Sequence, residues 1–235
     1  RQIVLEPIAS SLAVLSSAEK ELGVVLMDIG GGTTDISVFR GGDIWFSKVI
    51  PIAGEHITND ITVGLQTPIE EAELVKKQHG TALVDSVGED EKIEVATIGG
   101  DEKKSVSKKK LAKIIEPRVE ELLDLAMQEV EDAGYRDLIP AGLVLTGGTS
   151  LLNGITEFAA QRYDLPVRRG KIPQGIHGLR DIVESPIYAT SIGLLRYAVE
   201  MKDFKKPEYY DRRRSSSGAT ITRKLIAWFN KFFRG

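Results

Sequence analysis

The residues with most chemistry to offer lie in MDIGGGTTDISVF, residues 27–39. Asp28 closes an apolar run, Gly30, Gly31 and Gly32 form a turn with Thr33, and Asp35 opens an alternating run. Glycines let backbone N–H groups approach an anion with no Cβ in the way, so such a turn makes a nest for phosphate oxygens. Asp28 and Asp35 are hard oxygen donors suited to magnesium or its waters, and Thr33 adds a hydroxyl. A dinucleotide or Walker loop needs a helix after its glycines, whereas DISVF alternates as a strand. The same residues also describe an ordinary glycine-rich hairpin turn. In LVLTGGTSLLNGI, residues 143–155, Gly147, Gly148 and Thr149 leave a strand and enter a helix, where backbone and helix dipole can face a nucleotide. A capped structural turn fits those residues as well. In EEAELVKKQHG, Glu73 and Lys76 stand three apart on one helical face. There a carboxylate can accept ribose hydroxyls and an ammonium can meet base or ribose, and a solvated helix ion pair has the same spacing. His56, His79 and His177 have no metal-ligand spacing, and no Ser, His and Asp form a nucleophile elbow.

The elements that must position these residues are read from periodicity. Val4 to Glu19 reads as a helix rich in small residues. VVLMDI, DISVF and IWFSKVIPI then form an antiparallel meander turning at Gly41 and Gly42. Helices open near Glu55 and run from Ile69 to Gln78. Residues 82–101 read as short strands, and Ser107 caps a long helix with a core face of Leu111, Ile114, Ile115, Val119, Leu122, Leu123, Ala126 and Val130. Pro117 should kink or restart that helix. A helix from Ser150 to Tyr163, a short strand at Pro166 to Arg168 and a helix from Ile187 to Met201 follow.

Composition sets the class. The 235 residues are 42% hydrophobic, enough for a sizeable core, and include no cysteine, so disulfides and thiolate sites are excluded. No run approaches the ~20 apolar residues of a spanning helix. The net charge of −3 is unevenly spread: residues 202–235 hold ten Lys or Arg against three Asp or Glu, a surplus of +7 that leaves −10 on residues 1–201. An acidic body repels polyanions, so no nucleic-acid partner is expected there and anionic contacts fall to the tail. Residues 202–218 read as a flexible linker. Over 219–235, Leu225, Ile226, Trp228, Phe229, Phe232 and Phe233 form an apolar arc, with Arg223, Lys224 and Lys231 opposite. That is the pattern of a helix lying in an anionic membrane interface, and its aromatics form one face, unlike separate stacking platforms for bases. The sequence opens at Arg1 with neither Met nor signal peptide, which suggests a fragment or processed chain.

The three motifs, with EPIASSLAVL near the start and SPIYATSIGLLRYA near the end, resemble the actin, DnaK-type chaperone and sugar-kinase superfamily over residues 5 to about 198. The resemblance implies an α/β, actin-like (ribonuclease H-like) ATPase fold. It is incomplete here, because the superfamily's first phosphate hairpin is missing. It also implies ATP and magnesium as cofactors: Asp28 on magnesium and the hydrolytic water with Asp35, Gly30 to Thr33 on phosphates, Glu73 and Lys76 on the adenosine, and Gly147 to Thr149 behind it. Residues 1–22 would end the first lobe and carry its connector. Residues 23–80 with 141–201 would form the base of the second lobe, and 81–140 an inserted α/β subdomain.

RYDLPVRRGKI, the Arg-rich linker and the amphipathic end narrow the resemblance to the FtsA family of bacterial division proteins. That implies a polymerising ATP-binding adaptor, with weak ATPase activity at most, peripheral on the cytoplasmic face of the membrane at the division site. Its implied partners are the FtsZ C-terminal peptide, received by the inserted subdomain, further copies of itself, anionic lipid and other division proteins. An ATPase or kinase of the superfamily, or a pilus-assembly ATP-binding adaptor, is the alternative.

Overall fold

A computed structural model describes residues 3–99, 102–172 and 184–200. The linker and amphipathic end expected over 202–235 therefore lie outside the described residues.

The apolar run VVLM becomes the centre of the fold because it is buried on both faces. Strand β1 (Val24–Ile29) pairs antiparallel with β2 (Thr34–Arg40), which pairs antiparallel with β3 (Asp43–Ile50). On its other side β1 pairs parallel with β6 (Leu143–Thr146), and β6 with β7 (Val167–Arg169), giving the order β3-β2-β1-β6-β7. Alternation divides the side chains into two layers. Val25, Met27, Ile29, Leu143 and Leu145 face one core, while Val24, Leu26 and Val144 face the other.

The first core is closed by α3 (Gly54–Leu65), α4 (Ile69–His79), α5 (Lys108–Asp132) and α6 (Ile155–Tyr163). Helix α5 runs unbroken through Pro117 for 25 residues and buries Leu111, Ile115, Val119, Leu122, Leu123, Ala126 and Val130. Ile114 is only partly buried, against Gly64. Ser107 stands at the N-cap without a side-chain hydrogen bond to the helix. Of the segment 82–101 expected to hold short strands, the described residues give one strand, β4 (Lys92–Ala96), after a 3-10 turn at Val84–Ser86; its antiparallel partner β5 (Lys103–Ser107) lies just beyond the segment. Ile93, Val95 and Val106 from that pair join the same core.

The second core is closed by α1 (Glu6–Val14) and the closing helix, α7 (Ala189–Glu200). The single helix expected over Val4 to Glu19 is two. Ser16 accepts from the Glu19 N–H while Glu19 accepts from the Ser16 N–H, and this capping box starts α2 (Ser17–Leu22) in a new direction. The small residues of α1 and α7 let the helices cross with backbones nearly touching: a Cβ on Gly193 would lie 1.7 Å from the Ala9 carbonyl oxygen. Arg196 reaches across to the Leu12 carbonyl at 2.8 Å. A 3-10 turn at Gly148–Leu151 precedes α6, which begins only at Ile155, after Gly154 in the left-handed region, instead of at Ser150. Among the described residues no helix is long and apolar enough to cross a membrane.

Gly193→Ala should force α1 and α7 apart. Overpacking of this kind costs about 2 kcal/mol, or a melting temperature lower by roughly 4–8 °C in a protein of this size. Thermal circular dichroism checks this against Gly32→Ala, where nothing among the described residues lies within 4 Å of the added methyl. Equal melting temperatures would show that the crossing is loose.

Candidate nucleotide site

The parallel pairing of β1 with β6 sets Asp28 opposite Thr146, so both glycine turns leave the carboxyl ends of neighbouring strands. That is where the crevice of an α/β sheet opens. The turn after β1 is closed by Gly30 N–H donating to the Thr33 carbonyl at 3.0 Å. Its Gly30 and Gly31 carbonyls accept from the Gly54 and Glu55 N–H groups at 3.1 and 2.8 Å, anchoring the start of α3. The Thr149 hydroxyl donates to that same Gly30 carbonyl at 2.7 Å, joining the two glycine loops. The backbone N–H groups of Gly31, Gly32 and Thr33 have no acceptor among the described residues.

Two glycines are required by close approach. A Cβ on Gly54 would lie 2.3 Å from Thr149 Oγ1 and 3.5 Å from Lys76 Nζ. At Gly147, with φ +81°, it would lie 2.5 Å from both Asp28 Oδ1 and the Ile29 carbonyl. Gly32 and Gly148 are different, because among the described residues open space meets them: the nearest atom to a Cβ on Gly148 is Ile187 Cγ1 at 3.9 Å. Unclaimed N–H donors beside glycines that face open space suit an anionic ligand that approaches the backbone.

Asp28 and Asp35 are direct partners across β1 and β2. Asp28 Oδ2 accepts from Ser10 Oγ on α1 at 2.7 Å and from Thr190 Oγ1 on α7 at 3.5 Å. Burial, with the charge of Glu6 behind it, raises the Asp28 carboxyl above the usual carboxylate range against the pull of those hydroxyls. Asp35 is pushed up to about 6, by burial first and then by Glu6 and Asp28. Crowded carboxylates are relieved by a cation, and magnesium is held by one or two carboxylates with waters and phosphate making up its shell. The pair fits that chemistry, although among the described residues no three such ligands gather.

Glu73 and Lys76 come together on α4 and face the start of α3. Lys76 Nζ lies 2.6 Å from Glu73 Oε2 and donates to the Gly54 carbonyl at 2.9 Å and Thr58 Oγ1 at 2.7 Å. Burial would raise the Glu73 carboxyl, but donors from Lys76, Thr58 and Lys77 outweigh it and hold the group near 2. The structure thus brings Gly30, Thr149, Glu73 and Lys76 to one point around Gly54, with Asp28 and Asp35 along β1 and β2. Sequence reasoning missed Glu6, Ser10, Gly54, Thr58 and Thr190. Gly54 and Thr58 carried a signal, a glycine at a helix start with a hydroxyl one turn on, while Ser10 and Thr190 looked like packing residues of small-residue helices. Arg223, Lys224, Leu225, Ile226, Trp228, Phe229, Lys231, Phe232 and Phe233 lie outside the described residues.

A family model described as "Cell division protein FtsA" matches residues 25–193. The chain is 48% identical over 198 residues to the cell division protein FtsA of Pseudomonas aeruginosa, covering 84% of this chain and 47% of that one. It is 42% identical over 234 residues to that of Neisseria meningitidis, covering 99% and 56%. The chain thus spans about half the length of the curated relatives it matches. Among solved structures, MreB5 of Spiroplasma citri bound to ADP superposes with TM-score 0.68 at 22% identity, covering 85% of this chain and 60% of that one. A PilM–PilN type IV pilus biogenesis complex gives TM-score 0.61 at 18% identity, covering 84% and 53%. These likenesses show an actin-like α/β fold.

A carboxyl raised in the native state binds protons that the unfolded chain releases. The native state gains stability from Asp35 as pH falls from about 7 to 5 and loses it as pH rises through about 6. Urea midpoints for Asp35→Asn should vary less over that window than wild type, with the variant relatively more stable at pH 7. Parallel midpoint curves would show that Asp35 titrates normally.

Proposed function

Because the chain belongs to the FtsA family of cell-division proteins, we propose that the intact protein binds Mg-ATP and uses it to control self-association at the division site. The observation that carries this is the single hydrogen bond from Thr149 to the Gly30 carbonyl, with Gly54 packed against both. It sets a phosphate-type turn and a nucleoside-type loop side by side. The unclaimed N–H groups of Gly31, Gly32 and Thr33 would hold phosphate oxygens, with the Thr33 hydroxyl beside them. Gly147, Gly148 and Thr149 would back the adenosine, and Glu73 and Lys76 would stand on its sugar side. Asp28 and Asp35 would hold magnesium or its waters; bound magnesium neutralises phosphate charge. Asp28 would also orient a water, its Oδ2 held by the Ser10 hydroxyl at 2.7 Å, which in turn meets Thr190 Oγ1 at 2.9 Å. The actin-like neighbours are consistent with a nucleotide ligand: MreB5 of Spiroplasma citri carries ADP in one structure and AMPPNP in another.

The same reading places residues 219–235 as a reversible membrane anchor and residues 81–140 as the receiver of the FtsZ C-terminal peptide. The alignment with the Neisseria meningitidis protein, at 99% of this chain, extends into that tail. Arg223, Lys224, Lys231 and Arg234 near anionic lipid contribute about 4 kcal/mol, a weak hold for one molecule that a polymer multiplies by avidity. Nucleotide-controlled assembly would thereby set residence on the membrane.

Gly148→Val should abolish binding of a fluorescent ATP analogue by the intact protein while leaving its circular dichroism spectrum unchanged, because a Cβ there meets only Ile187 Cγ1, at 3.9 Å, among the described residues. Equal binding by variant and wild type would move the site elsewhere.

Trp228→Glu puts a charge into the apolar face of the tail. It should cut sedimentation with anionic liposomes at least tenfold at physiological salt and release any FtsZ filaments recruited through the protein. Undiminished lipid binding would remove the anchor, and FtsZ failing to sediment even with wild type would remove the adaptor.

A further inference from the structure

The hydrogen-bond inventory around Glu73 assigns roles within the proposed sugar side of the site. A lysine ammonium has three protons and no acceptor. At Lys76, which is 12% exposed, all three have partners: the Gly54 carbonyl at 2.9 Å, Thr58 Oγ1 at 2.7 Å and Glu73 Oε2 at 2.6 Å. Thr58 has one hydroxyl proton, and Glu73 Oε2 is its nearer acceptor, with the Gly54 carbonyl at 3.2 Å. Glu73 Oε2 therefore receives two fixed donors. Among the described residues its Oε1 is met only by Lys77, a 67%-exposed side chain at 3.0 Å that water or a ligand can replace. With every buried proton committed, the capacity left for a ligand is as an acceptor, on Oε1.

We propose that Thr58 is a positioning residue: with Lys76 it pins one oxygen of Glu73 so that the other accepts a sugar hydroxyl, making the site selective for ribose over deoxyribose nucleotides. Lys76 then acts through Glu73 and the α3 start instead of touching the ligand. This rests on the nucleotide reading above and adds to it a direction of hydrogen bonding and a residue that reading lacks. The geometry depends on the hydroxyl, since Thr58 both accepts from Lys76 and donates to Glu73. Valine keeps the shape and removes both contacts, leaving Lys76 with one proton short of a partner and Glu73 Oε2 with one donor.

The test measures displacement of a fluorescent ATP analogue from the intact protein by ATP and by 2′-deoxy-ATP. A hydrogen bond from a neutral donor to a charged acceptor is worth about a tenfold or greater preference, so wild type should favour ATP by at least that. Thr58→Val should lose most of the preference, falling at least about threefold toward parity chiefly through weaker ATP binding, and Thr58→Ser should restore it. If the valine variant does not fold, Thr58→Ala, which admits water beside Lys76, serves in the same comparison. An unchanged ATP to deoxy-ATP ratio in a folded Thr58 variant, or a serine variant no better than valine, would overturn the assignment while leaving the nucleotide site standing. A wild-type protein that binds neither nucleotide would overturn the site and, with it, this role.

Discussion

The parallel pairing of β1 with β6 is the constraint from which the site follows. It places the ends of two strands that are distant in sequence side by side, so two glycine turns face one crevice. Everything added later depends on that register. The Thr149 hydroxyl reaches the Gly30 carbonyl because Thr146 is level with Asp28. Helix α3 starts where it does because its first N–H groups find the carbonyls of the β1–β2 turn. A shift of one residue would turn Asp28 from the α1 and α7 side to the α5 side, where it would meet only apolar groups.

The site is also where the two cores meet through polar atoms. Asp28 emerges between α1 and α7, with hydroxyls from both beside it, while Glu73 and Lys76 lie on α4, one of the helices that cover the opposite face. Burial explains the sign of each electrostatic effect. Among the described residues Asp28 and Asp35 have no cationic partner and rise, whereas Glu73 has two lysines and a hydroxyl and falls. One crevice therefore presents carboxylates of opposite character, a crowded pair suited to a cation and a fixed acceptor suited to a hydroxyl donor.

Much of this was legible in the residues. The meander from Val24 to Ile50 follows from alternation and the Gly41–Gly42 turn, and the α5 core face from its periodicity. Glycine, threonine and aspartate types marked both loops. What periodicity could not carry was proximity. Nothing in EEAELVKKQHG says that Lys76 spends all its protons inside the protein, and nothing in EPIASSLAVL separates Ser10, which holds Asp28, from Ser11, which bonds back to its own helix at the Ile8 carbonyl. The break after Val14 was hidden because a capping box within an apolar, small-residue stretch looks like more helix. The long helix survived Pro117 because its buried face is continuous on both sides of the proline.

The central strand also has a history during synthesis. Val25 pairs with Leu143, 118 residues further along the chain. At roughly 5–20 residues per second, the ribosome takes about 6 to 24 s to deliver that partner. Meanwhile β2 covers one edge of β1 and the other lies open, an apolar strand with a row of unpaired backbone groups. Such an edge is a template for the wrong neighbour. On a polysome, where identical nascent chains are crowded together, the competitor at hand is the same strand of another copy. The architecture that gives the finished protein its crevice thus makes its yield sensitive to translation speed across β6 and to any chaperone that holds β1 in the interval.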